Sequence, residues 1–301
     1  MKKIISLLLC ALLILGTFMG CSGKKDNEDT SAPNGVAISY TVDAHNSYIN
    51  QSAVRAYETL CEAVINGSSS ALFNTSLIDD VNRLFYSDFP LSYLVNRLEI
   101  NSDNSGVNII YDNDTEKHLE AVAVFRERLG SILSECGYGK VNNNVLILNL
   151  YSYITKNTVL TSKSSYSYDV IVNSLGYSFS LAGAFSYLLN QAGIKASVVH
   201  STNENGICYM VETEFKGDKY IFNPFFEADE NEGKALCYFA LDYSELADMG
   251  FKDIKYSNGD GVAFDDNENR FEQFRNSVAY ILEENNLSVT KNNGEIVQVA
   301  L

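Results

Sequence analysis

The sequence predicts an α+β protein, with one central helix packed on an antiparallel sheet behind a leading region of helices and strands. Three observations carry this reading. Apolar residues recur at three-and-four spacing in several long segments before residue 192. Extended segments separated by turns containing Asn and Gly follow Gly193. Residues 178–192 are expected to form the helix that joins the two patterns.

Ser52–Asn66 sets Val54, Tyr57, Leu60, Cys61 and Val64 on one helical face, and Gly67 stops it. Residues 91–112 read as a strand pair, because Arg97 and Glu99 alternate with Leu98 and Ile100 and the polar turn 101–106 precedes Val107–Tyr111. Asp114-Thr115-Glu116-Lys117 opens a long helix to about Cys136, with Leu119, Val122, Phe125, Leu129 and Leu133 in one stripe. A further helix, Asn143–Lys156, carries Leu146, Leu148, Leu150, Tyr153 and Ile154. Beyond the central helix, Lys195–His200, Gly206–Glu214 and Asp218–Asn223 are expected to form the sheet. Residues 268–284 repeat Phe271, Phe274, Val278, Ile281 and Leu282 at helical spacing, and Asn292-Asn293-Gly294 marks a last hairpin.

The run Gly176-Tyr177-Ser178-Phe179-Ser180-Leu181-Ala182-Gly183-Ala184-Phe185, followed by Leu188-Leu189 and Gly193-Ile194, resembles the nucleophile helix of bacterial transglutaminase-like domains. Those domains belong to the papain-like cysteine hydrolases and write the motif Gly-x-Cys. Their acyl-transfer site needs a thiolate at a helix N-terminus, a histidine on a facing strand and an Asp or Asn on the next strand to orient the imidazole. The helix end matters because its unpaired amides and dipole stabilise negative charge on sulfur and on the oxyanion. Carried onto this sequence, the three positions fall on Ser178, Gly206 and Asn223, the last within Asn223-Pro224-Phe225-Phe226. The resemblance spans about residues 140–245 and implies a papain-like fold with a degenerate triad. It holds in any alignment, because the chain has no cysteine between Cys136 and Cys208 and no histidine after His200.

The reading that follows is a catalytically degenerate domain acting as a binding or scaffold module. Tyr177, Ser178, Gly206, Tyr209, Asn223 and Phe226 are expected to line its ligand cleft, and a peptide, protein or cell-wall component is the expected ligand. The alternative is a hydrolase or other acyl-transfer enzyme using Ser178 with His200 as base, against which stands the commoner role of serine at a helix start, an N-cap. A third reading makes the domain a structural spacer. Cys208 is expected to be buried and inert, and His45 and His118 to be surface or interface residues. The acidic clusters Asp79-Asp80, Asp265-Asp266 and 227–232 read as solvated turns. No motif for a metal or other cofactor is present: no cysteines or histidines stand at zinc-ligand spacing and no calcium loop is spelled out.

The chain opens with Lys2 and Lys3, an apolar run from Ile4 to Phe18, and Phe18-Met19-Gly20-Cys21. That is the layout of a secretory signal, and the last four residues resemble a bacterial lipobox in which Cys21 is lipidated. The expected organisation is a lipoprotein signal peptide at 1–20, a flexible tether at 21–47, a helix-and-strand leader at 48–140, the core at 141–250 and a C-terminal helix and hairpin at 251–301. The protein is then extracytoplasmic, held to the bacterial membrane through the lipid on Cys21. Losing residues 1–20 removes two lysines and no acid, taking the formal charge from −16 to −18. That charge argues against nucleic acid as a partner. Cys61, Cys136, Cys208 and Cys237 remain within the fold, either as buried free thiols or with a Cys208–Cys237 bridge.

Overall fold

The periodic apolar faces seen in the sequence fold as helices. In the structure, a computed structural model, the residues described are 36–40, 42–43, 49–203, 206–229, 234–263 and 271–301. All of them belong to one compact unit, Pro33–Leu301. Helix α1 (Gln51–Ile65) is capped by Asn50, which accepts from the Ser52 N–H, and it buries Ala53, Ala56, Tyr57, Leu60, Cys61 and Val64. Gly67 follows it with φ +65°, a left-handed backbone that glycine adopts without penalty. Strand β1 (Ser70–Leu72) and helix α2 (Ile78–Asp88) come next. Asp79 and Asp80, expected in a solvated turn, instead occupy the first turn of α2, where carboxylates meet the positive end of the helix dipole.

Strands β2 (Val95–Ile100) and β3 (Gly106–Tyr111) form the expected pair, with Leu98 opposite Ile109, and β1 adds to the other edge of β3. Helix α3 (Thr115–Glu135) starts at Asp114, whose side chain accepts from the Lys117 N–H at 3.0 Å. Its buried stripe differs by one position from the expected one: Leu119 is exposed and His118 is buried. The His118 Nε2 lies 2.5 Å from the Val64 carbonyl at the end of α1, and its ring rests against Tyr111. The Val64 carbonyl also accepts from the Gly67 N–H at 3.1 Å, so His118, expected at a surface or an interface, is buried as a second partner of a helix-end carbonyl. His45 lies outside the described residues.

Helix α4 (Asn143–Asn157) is buried on several sides, through Leu146, Leu148, Leu150, Tyr151 and Ile154 among others. A short parallel pair, β4 (Val159–Leu160) and β5 (Leu175–Gly176), leads into the central helix α5 (Ser178–Gln191). Strands β6 (Ala196–Asn203), β7 (Gly206–Phe215) and β8 (Asp218–Phe222) follow, then helices α6 (Pro224–Asp229) and α7 (Tyr243–Asp248) and strand β9 (Lys252–Tyr256). The four strands form one antiparallel sheet in the order β8-β7-β6-β9. One apolar cluster runs from Ile38 through α1–α5 and one face of this sheet, including Val211 and Phe222. A second, smaller cluster gathers Cys208, Met210, Ile221, Leu246 and Ile254. The chain is therefore α+β, with helices and antiparallel sheets around a shared core.

Two expectations fail here. Of the helix expected over 268–284, residues 268–270 lie outside the described residues and the rest is a short 3₁₀ turn at Glu272–Phe274 followed by strand β10 (Ser277–Glu283). With β11 (Asn286–Lys291) and β12 (Ile296–Ala300) it makes a three-stranded sheet. Ile281 and Glu283 are exposed while Tyr280 and Leu282 pack on the core, so period two prevails over the three-and-four spacing, and Val278 is exposed where the ladder shifts register between Ser277 and Ala279. The hairpin at Asn292-Asn293-Gly294 joins β11 to β12.

The other failure is at the far end of the expected tether. Residues 1–35 lie outside the described residues, yet residues 36–40 and 42–43 dock on the fold. Ile38 is buried, with Val36, Tyr40 and Val42 packed against the same cluster. The Gln191 side chain accepts from the Ser39 N–H at 2.9 Å and donates to the Ala37 carbonyl at 2.8 Å. The Val198 N–H donates to an Asp43 carboxylate oxygen at 2.6 Å. Val36, Ile38, Tyr40 and Val42 alternate, a strand-like pattern able to bury one side, which is why this stretch does not remain free. Among the described residues, no helix is long and apolar enough to cross a membrane.

Candidate functional site

The backbone turns sharply from β5 into α5 at Gly176 and Tyr177. A Cβ on Gly176 would stand 2.9 Å from Thr158 and 3.1 Å from Leu181, so only glycine fits without displacement there. Tyr177 is the N-cap, and its N–H donates to the Ser180 hydroxyl at 2.8 Å. Ser178 therefore does not serve as the cap. Its hydroxyl accepts from the Tyr209 N–H on β7 at 2.9 Å and donates toward the Cys208 sulfur at 3.9 Å.

Cys208 in turn accepts from the Asn223 side-chain amide at 3.4 Å. Asn223 is held on every polar atom. Its Oδ1 accepts from the Phe226 N–H at the start of α6, its N–H donates to the Tyr238 carbonyl, and its own carbonyl accepts from the Tyr151 hydroxyl. The structure thus aligns a helix-start hydroxyl, a strand thiol and an amide at the end of the next strand. Ser178 and Asn223, two of the expected site residues, are thus joined through Cys208.

Gly206, the third expected residue, is not part of this hydrogen-bonded chain. Gly206 lies at the exposed end of β7 opposite Asn203, two residues before Cys208. The antiparallel register, Val211 opposite Phe222, puts Asn223 on the same face as Cys208 and so fixes the thiol as its partner. His200 is not a partner either. Lying on β6, it pairs with Tyr209 of β7, its ring 6.0 Å from the tyrosine ring, and the hydrogen-bond partners of the Ser178 hydroxyl among the described residues are Tyr209 and Cys208. Tyr209 and Cys208 are neighbours on one strand and point to opposite faces, so a histidine beside Tyr209 faces away from the thiol.

The electrostatics of the trio are those of neutral groups. Burial pushes the Cys208 thiol up, and the bonds from Asn223 and Ser178 only partly oppose this. A thiol kept protonated is neither a nucleophile nor a base, and its sulfur is a weak acceptor. The site is also closed: Ser178 is 5 % exposed, Cys208 4 % and Asn223 0 %. Aromatic rings surround it without opening it. Tyr177 packs edge-on to Phe225, Tyr209 edge-on to Phe179, and Phe226 against Tyr238.

The four cysteines in the fold are free and buried, so the Cys208–Cys237 bridge is not formed. Burial raises the Cys61 and Cys237 thiols and takes Cys136 up to about 12. Among the described residues, no cluster of three or more His, Cys, Asp or Glu side chains is placed to hold a metal ion.

No family model and no curated protein matches the chain. Among solved structures, a protein from Cytophaga hutchinsonii provisionally named a cysteine protease aligns at 17 % identity and a TM-score of 0.29. The alignment covers 34 % of this chain and 37 % of that one.

Proposed function

We propose that this chain is an extracytoplasmic lipoprotein whose papain-like, transglutaminase-like core is catalytically silent and acts as a binding or scaffold module. One observation supports the proposal: Ser178 and Asn223, where the resemblance puts nucleophile and orienting group, are linked through Cys208, and none of the three can take the serine proton. A serine nucleophile needs a base within hydrogen-bond reach. The lipobox-like Phe18-Met19-Gly20-Cys21 supports anchoring, and the polar stretch 22–35 supports a short lead from the membrane.

The test is to rebuild the missing chemistry. The double variant Ser178→Cys/Cys208→His places Cys, His and Asn at the three positions, and it should react with iodoacetamide at mildly acidic pH while the parent protein does not. The parent should likewise be inert to fluorophosphonate probes. Labelling of the parent that disappears in Ser178→Ala would overturn the proposal in favour of a serine hydrolase.

A further inference from the structure

Among the described residues, the edges of the antiparallel sheets are β1, β2, β8, β9, β10 and β12. An open edge is a template for another chain, and proteins blunt it with charge, shortness or cover. β2 carries Arg97 and Glu99, β8 carries Asp218 and Lys219, β9 carries Lys252, Asp253 and Lys255, and β1 is three residues long. β10 ends in Glu283, and its Ser277 carbonyl accepts from the Ala235 N–H at 2.9 Å. β12, Ile296-Val297-Gln298-Val299-Ala300, has no charged side chain.

The ladder shows which groups of β12 face its open side. The Lys291 N–H donates to the Glu295 carbonyl at 2.8 Å and the Leu301 N–H to the Asn285 carbonyl at 2.6 Å, so the odd-numbered residues bond to β11. Ile296, Gln298 and Ala300 therefore turn their N–H and C=O groups outward. Of these groups, the Ala300 carbonyl alone has a partner among the described residues, the Lys216 ammonium at 2.6 Å. Apolar side chains flank the edge on both faces. Ile296 is 63 % exposed, and Val297 and Val299 are half-buried where Leu287 and Val289, one strand inward, are fully buried.

We propose that this edge pairs with the same edge of a second copy of the chain, antiparallel about a two-fold axis at Gln298. In that register Gln298 faces its own mate and Ile296 faces Ala300, so each outward N–H meets an outward carbonyl. Val297 of each copy comes beside Val299 of the other, which carries the apolar inner face across the junction. The flanking charges match as well. Glu295 lies just before β12, bonded to Lys291 of its own chain at 3.5 Å, and Lys216 sits at the other end on Ala300. The two-fold brings each Glu295 to the Lys216 end of the other copy, and the Ala300 carbonyl can accept from both the lysine and the new strand. Elsewhere a chain of formal charge −16 repels its copy, so an uncharged strand with an acid at one end and a base at the other is where two copies can meet. An unrelated extended peptide could use the backbone groups, but it would leave the match of Glu295 with Lys216 without a purpose. None of these residues belongs to the trio at Ser178, so the proposal does not rest on the silence of that site.

The test is sedimentation of the full chain over a range of concentrations, with detergent in excess so that chains share a micelle only through contact. A reversible dimer is expected, and it should be lost in Gln298→Pro, which removes an outward N–H and leaves the bonds to β11 in place. Glu295→Lys should weaken the dimer about tenfold, and adding Lys216→Glu should restore it. If Gln298→Pro fails to fold, Gln298→Cys takes its place. Facing residues in this register stand about 5.5 Å apart at Cα, within disulfide reach, so oxidation should link two copies, whereas Ser288→Cys, one strand inward, should not be linked. The four cysteines in the fold are buried and do not compete. A monomer at every concentration overturns the proposal, including one that binds an unrelated extended peptide along β12. So does a dimer indifferent to Gln298→Pro and to the charge exchange, or one in which Gln298→Cys links no better than Ser288→Cys. Turnover dependent on Ser178 would remove the silent-module reading and leave this one standing.

Discussion

Two buried polar centres of this molecule are built in opposite ways. At the helix start, Ser178, Cys208 and Asn223 are neutral and linked by contacts of 3.4–3.9 Å. At the turn before β10, Arg275 forms a two-pronged pair with Glu245 at 2.7 and 2.8 Å and also donates to the carbonyls of Phe239 and Ala240 at 2.8 Å. Arg275 and Glu245 are both mostly buried. The guanidinium ties the residues preceding α7, where Leu236 and Ala240 hold positive φ, to the C-terminal sheet. Strong, charge-assisted bonds thus hold an irregular segment in place, whereas Ser178, Cys208 and Asn223 are joined to one another only by weak contacts at sulfur. The contrast separates a charge-assisted clamp from a neutral trio with no ion pair.

Breaking the stronger centre should have the larger effect. Arg275→Ala leaves Glu245 buried without its partner and several carbonyls without a donor, and is expected to cost about 3–5 kcal/mol in urea unfolding. A loss below about 1 kcal/mol would show that the centre is not a clamp. Asn223→Ala removes the bond to Cys208 and the cap on α6, and should cost about 1–3 kcal/mol in the same measurement. Ser178→Ala should cost about 1 kcal/mol, because one bond from the Tyr209 N–H is lost, with no change in any hydrolysis assay.

The smallest effect should come from Glu227, between the two centres. It accepts from the Tyr151 hydroxyl and the Tyr238 N–H, yet burial raises its carboxyl above the ordinary range. A raised carboxyl binds its proton more tightly folded than unfolded. Its favourable contribution is therefore fully present below the unfolded value and is lost as pH rises through the folded one. Glu227→Gln, which keeps an acceptor and removes the titration, should flatten the fall in stability above about pH 4.5. A stability profile unchanged by the substitution would remove Glu227 as its source.

Much of the fold was legible because burial follows period. The faces of α1, α3 and α4 and the turns around β7 and β8 were set by spacing that one structure alone satisfies. The segment at Val278, Ile281 and Leu282 was not, because it fits three-and-four spacing on paper while Tyr280 and Leu282 also alternate. A strand resulted because neighbouring strands β11 and β12 were available to pair, which is information from elsewhere in the chain. His118 was misplaced for the same kind of reason, since its partner is a carbonyl 54 residues away. At the candidate site, Ser178 and Asn223 were singled out from the resemblance, whereas the link between them through Cys208 was not legible, because it depends on strand register. Pairing Val211 with Phe222 settles it, and no local pattern reveals that pairing.

The bonds that Gln191 makes to Ala37 and Ser39 have a mechanical meaning. A single side-chain amide imitates one residue of a strand, and with the Asp43–Val198 bond it fastens the chain where it enters the fold. A pull applied upstream of residue 36 reaches these few contacts before it reaches any helix or ladder. The molecule should yield there first, peeling a short ribbon and lengthening its own leash by about 3.4 Å per residue while the rest remains folded. In a force-extension trace this would be a small early step preceding the main rupture, and Gln191→Ala would lower the force at which it occurs.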